Sequence, residues 1–163
     1  MSVLRTTGLL IMALCALFFC LVSGESAVPQ GDLDGILLSS ETFFKVMRSG
    51  DHVKVWSMLS SKSHRTIVKD ISKAVGPGYS TKQIEDDLSK GGPIAVSYWR
   101  GFLESFDPDT ILEKSRWEVG YIGSDRAELL ITYRKSKRPA RLQMFREDGA
   151  WKVGLVETFW TRK

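Results

Sequence analysis

At Arg116 the spacing of apolar residues changes from a period near 3.6 to a period of 2, and no other feature constrains the fold as much. Before that point the pattern is helical. Ser39 or Ser40 is expected to cap a helix that carries Phe43, Phe44, Val46 and Met47, and Ser49-Gly50-Asp51 interrupts it. Asp51 is expected to cap the next turn, with Val53, Val55, Trp56, Met58 and Leu59. Ile67, Val68, Ile71, Ala74 and Val75 continue a helical stripe until Gly76-Pro77-Gly78 stops it. Ser80 and Gln83 have the spacing of a capping box. Gly91-Gly92-Pro93 ends that helix, and residues 94–106 form a further one, closed by Asp107-Pro108-Asp109.

After Arg116 the alternation is that of half-buried strands. Trp117, Val119 and Tyr121 share one face, and Gly123-Ser124-Asp125 turns the chain. Ala127, Leu129, Ile131 and Tyr133 follow, then a basic turn, then Leu142 and Met144. Glu147-Asp148-Gly149 is a tight-turn signal, after which Trp151, Val153, Leu155, Glu157 and Phe159 are expected on one face of a last strand. Four strands joined by short turns predict an antiparallel meander. Helices followed by strands predict an α+β domain, with the helices packed on a curved four-stranded sheet.

Residues 8–24, GLLIMALCALFFCLVSG, contain no charge and follow the single cation Arg5. This describes a secretory signal, with Val22 and Gly24 placed for cleavage before Glu25; an uncleaved membrane anchor is the alternative. Cys15 and Cys20, the two cysteines of the chain, lie inside it, so a cleaved product has no thiol chemistry. Residues 25–38, with Pro29, Gly31 and Gly35, read as a linker, and residues 39–163 as the domain. At 163 residues, 43% hydrophobic and 26% charged, the chain has material for one globular core. Its net charge of +4 is too mild to indicate nucleic acid.

The stretch FFKVMRSGDHVKVWSML, a helix broken at Gly50-Asp51, and the ending EDGAWKVGLVETFW resemble the opening helix pair and closing hairpin of the NTF2-like superfamily. The resemblance implies a cystatin-like cone in which helices are wrapped by a bent antiparallel sheet. It covers roughly residues 39–160. Its motifs are patterns of shape, and its members include isomerases, dehydratases, transport adaptors and binding modules. The resemblance therefore implies a fold more than an activity, and its nearest form is a small exported domain. Members often pair through the outer sheet face, which makes a homodimer one expectation.

Candidate chemistry is sparse. His52 and His64 stand twelve apart with no metal-ligand spacing around them, and no cofactor or metal is expected. His64 lies in a Ser-Lys-Ser-His-Arg segment, but no GxSxG elbow accompanies it. Glu157, on the apolar face of the last strand, is the other weak catalytic candidate, since enzymes of this superfamily use a carboxylate inside the cone as a base. Trp56, Tyr98, Trp99, Tyr121 and Tyr133 are candidates to line an apolar pocket with hydroxyl handles; otherwise they fill the core. Arg134, Lys135, Lys137, Arg138 and Arg141 concentrate charge between two strands, as a solvated hairpin tip or a contact for an anionic membrane surface. The leading expectation is an exported, non-enzymatic domain that binds a small apolar ligand or an envelope partner. Acid–base chemistry in the cone is the alternative.

Overall fold

A computed structural model describes residues 30–159. The signal or anchor segment 1–24, the first residues of the linker and Trp160 lie outside the described residues. No described helix is long and apolar enough to cross a membrane.

The architecture is α+β, with helices first and a four-stranded antiparallel sheet after them. Helix α1 spans Gln30–Ser49, so most of the expected linker is helical, and Ser39 and Ser40 lie inside the helix. The 3.6-residue stripe begins earlier than Phe43. Ile36, Ser40, Phe43, Phe44 and Met47 are all buried on one face. Ser40 satisfies its hydroxyl locally by donating to the Ile36 carbonyl at 2.7 Å. Gly35 serves close approach: a Cβ there would come within 3.3 Å of the Trp151 ring.

Helices α2 (His52–Ser57) and α3 (Ser61–Val75) follow, and a 3-10 turn at Gly76–Gly78 leads to α4 (Thr81–Lys90) and α5 (Pro93–Leu103). Asp51 caps α2 by accepting from the Lys54 N–H at 2.9 Å. The capping box of Ser80 and Gln83 is present on α4. Asp107-Pro108-Asp109 does not close a helix but opens one, α6 (Pro108–Lys114). Asp107 accepts from the Asp109 N–H, and Pro108 takes the first position, where no N–H is needed.

Strands β1 (Ser115–Ile122), β2 (Arg126–Tyr133), β3 (Ala140–Glu147) and β4 (Ala150–Gly154) pair in sequence order. Ala127, Leu129 and Ile131 of β2, Leu142 and Met144 of β3, and Trp151 and Val153 of β4 are buried. Helix α6 joins β1 through the Trp117 indole N–H, which donates to the Ile111 carbonyl at 3.0 Å. Phe44 of α1 packs edge-on against Trp117 at 5.7 Å and stacks on Phe106 at 5.9 Å.

The last strand is shorter than its alternation suggests. It stops at Gly154, and α7 (Leu155–Phe159) takes over. Leu155 and Val156 are both buried, which a half-buried strand does not allow for consecutive residues. The Gln143 N–H of β3 donates to Thr158 Oγ1 at 3.0 Å, and that hydroxyl donates back to the Gly154 carbonyl at 2.6 Å. A side-chain hydroxyl thus replaces the ladder partner that a longer strand would have supplied. Beside Gly154 the edge of β4 is occupied. The Val153 N–H donates to the Met58 carbonyl at 2.8 Å, and the Ser60 N–H donates to the Val153 carbonyl at 2.9 Å, as a short parallel bridge at Leu59.

Candidate functional site

The two weak catalytic candidates are each committed to structural partners. Glu157 is on α7, not on a strand face, so the expectation of a strand carboxylate is corrected. Its carboxylate accepts from Ser60 Oγ at 3.0 Å and from Ser63 Oγ at 2.8 Å. Both serines are fully buried at the start of α3, with Ser60 as the N-cap. Ser63 Oγ also accepts the Val156 N–H at 3.1 Å. A carboxylate beside the first N–H groups of a helix is favourably placed against their partial positive charge. The cluster therefore clasps α7 to α3.

His64 is half-buried, and its Nε2 lies 2.7 Å from the Trp56 carbonyl oxygen. A carbonyl only accepts, so Nε2 carries the hydrogen. The imidazole stacks on the Trp56 ring at 4.0 Å. Burial lowers its pKa below the ordinary 6.5, partly opposed by the Trp56 carbonyl and by the charge of Glu147. His64 thus reaches out to Trp56 rather than to the Ser60–Ser63–Glu157 cluster, so no Ser-His-acid relay forms from these groups. Among the described residues no group of three His, Cys, Asp or Glu is placed to hold a metal ion.

The five aromatics do not share one cavity. Trp56 is buried under His64, and Trp99 is buried in the core. Tyr121 is 56% exposed on β1, where a bulge between Val119 and Tyr121 shifts the register, so the expected common face with Trp117 and Val119 is broken. Tyr133 is half-buried at the end of β2. Tyr98 is the member that lines a groove. That groove runs between α3 and α5, has a volume of about 350 Å³, and includes Ile71, Ala74, Val75, Tyr79 and Ile94. Val75 and Tyr79 remain 39% and 49% exposed on its rim. The Tyr98 hydroxyl is buried without a hydrogen-bond partner, and burial pushes its pKa well above the ordinary 10.0.

The basic turn divides. Arg134, Lys135, Lys137 and Arg138 are exposed at the hairpin tip between β2 and β3. Arg141 belongs to β3 and pairs with Glu128 at 2.7 Å, so it leaves the cluster. A second set of cations escaped the sequence reading. Arg65, Lys69 and Lys73 recur every four residues on α3 and line a groove of about 430 Å³ with Ser72, Thr81 and Glu85. The recurrence was visible in the sequence. What it lacked was the wall opposite, which α4 supplies.

Comparison with known proteins returns no matching family model, curated protein or solved structure, so the site stands on its own geometry.

Proposed function

We propose that this chain is an exported, non-enzymatic domain of NTF2-like character that binds a small apolar ligand in the groove between α3 and α5. The observation that carries this reading is the mostly apolar groove that Tyr98 lines with Ile71, Ala74, Val75, Tyr79 and Ile94. The groove volume of about 350 Å³ suits a small molecule. Export rests on the uncharged run at residues 8–24, and the NTF2-like character on the break at Gly50-Asp51 and the closing Gly149-Ala150-Trp151-Lys152 hairpin. The catalytic alternative has less support, because Glu157 and His64 are engaged by serine hydroxyls and a carbonyl.

Calorimetric titration of the full chain with 1-decanol, a ten-carbon tail with a single hydroxyl, tests the reading. Decanol should bind, and Ala74→Trp, which fills the groove from an exposed position, should abolish binding. Tyr98→Phe should not lower the Tm, since the hydroxyl it removes is buried without a partner. Decanol binding that is absent, or that survives Ala74→Trp, would exclude this groove.

A further inference from the structure

Strand β1 is an open edge of the sheet. It pairs with β2 on one side, and among the described residues no strand pairs with the other. The Arg134 N–H donates to the Lys114 carbonyl at 3.2 Å. Backbone groups alternate between the two edges of an antiparallel strand. Arg116 and Glu118 therefore also turn theirs to β2, while Trp117 and Val119 turn theirs to the open edge. The regular part of the strand runs from Ser115 to Val119, because the bulge between Val119 and Tyr121 then shifts the register. That stretch is symmetric about Trp117.

Natural sheets commonly guard an open edge with charge, since like charges repel a second copy. The charges of this stretch, Arg116 and Glu118, are opposite in sign. Flanking Trp117, they share the face that points away from the core. Their side chains are 73% and 49% exposed and meet each other at 3.0 Å, a contact that such exposure makes weak. A two-fold axis at Trp117 sets each Arg116 opposite the partner's Glu118, so the edge attracts its own copy. On the core side of the strand Val119 is 44% exposed, and Trp117 lines a groove of about 230 Å³ with Leu37 and Leu112. The outer face of the sheet offers less to a second copy, because Arg141, Glu128, Gln143 and Arg126 are already bonded to one another.

We propose that two copies of this chain join through β1, antiparallel about Trp117, so that their sheets become continuous. In this register Trp117 lies opposite the partner's Trp117, Val119 opposite the partner's Ser115, and Arg116 opposite the partner's Glu118. The outward backbone groups of Trp117 and Val119 supply the ladder. Arg116 and the partner's Glu118 then fall in the closer, non-hydrogen-bonded pairs, where opposite charges across strands interact most. The partner's Val119, beside Ser115, borders the groove of Leu37, Leu112 and Trp117. The contact is independent of the ligand groove between α3 and α5.

Sedimentation velocity of the full chain between about 5 and 500 µM reads the association. So short a ladder makes a small interface, so a monomer–dimer equilibrium should appear within that range and weaken at high salt. Glu118→Arg and Arg116→Glu each set like charges opposite one another and should weaken dimerisation at least about tenfold. Mixed in equal amounts, the two single variants should form a heterodimer, because every acid then meets a base. The double variant Arg116→Glu/Glu118→Arg should associate as the unmodified chain does. Both side chains are exposed, so the variants should fold, and an unchanged circular dichroism melt checks this. A chain that stays monomeric at the highest concentration, a dimer indifferent to either single variant, or single variants that stay monomeric when mixed would overturn the inference. Association through residues 8–24 would show as the second of these outcomes, since neither variant touches them.

Discussion

His64 is the residue whose chemistry is most altered by its surroundings. Its stack on Trp56 and its hydrogen bond to the Trp56 carbonyl hold it partly out of water, and burial disfavours the imidazolium. The folded protein therefore resists a proton that the unfolded chain accepts below its pKa of 6.5. Stability from this site is fully present above that pH and is lost as pH falls from 6.5 towards the lowered folded pKa. The Tm of the unmodified chain should drop between about pH 7 and pH 5, and His64→Gln should flatten the drop because Gln does not titrate. Parallel Tm curves for the two proteins would assign the sensitivity to other groups. The sequence showed a histidine among serines. It could not show that the partner is a backbone carbonyl eight residues earlier, because a carbonyl leaves no mark in side-chain identity.

Among the elements, the joint between α4 and α5 shows how local chemistry is carried across helices. Gly91 ends α4 in the left-handed region at φ 69, as the double glycine suggested. Gly92 caps α5 without a side chain, so the Ala95 N–H is accepted instead by Asp87 of α4, at 2.9 Å. A Cβ at Gly92 would run into that carboxylate. Gly92→Ala should therefore displace Asp87 and cost about 1–3 kcal/mol, and Asp87→Ala about 1 kcal/mol, in urea unfolding. Because both act through one carboxylate, the double variant should lose less than the sum; strict additivity would refute the shared mechanism. Caps made by neighbours in sequence, such as Asp51 and Ser80 with Gln83, were legible. The start of α1 was hidden by Gly31 and Gly35, read as breakers, though Gly35 admits the Trp151 ring. The switch from β4 to α7 depends on Thr158, Ser63 and Gln143 meeting in space, which no local pattern records.

At the scale of the whole molecule, the helical first half and the stranded second half share one hydrophobic core, and Leu59 is one of the residues that join them. It is 1% exposed and bridges to Val153, while Lys152 donates to the Ser57 carbonyl at 2.8 Å. Arg146 of β3, 2.9 Å from Asp32 of α1, ties the two halves elsewhere, but a single partly exposed pair contributes little. Leu59→Ala should cost about 2–4 kcal/mol. Far-ultraviolet circular dichroism and tryptophan fluorescence should still follow one coincident urea transition. Two separate transitions would mean that helices and sheet are independent units.

The α+β class, the helices before a four-stranded antiparallel sheet and the turns between its strands were legible in the sequence, because helical and strand periods are local properties written in consecutive residues. The same holds for the run at residues 8–24 and for the absence of a motif that names a reaction. Tertiary structure decided which aromatics are core and which faces a groove, what engages Glu157 and His64, and that the cations of α3 face α4 across a groove. Those relations join residues far apart in the chain, and the pairing of surfaces in space is fixed by packing.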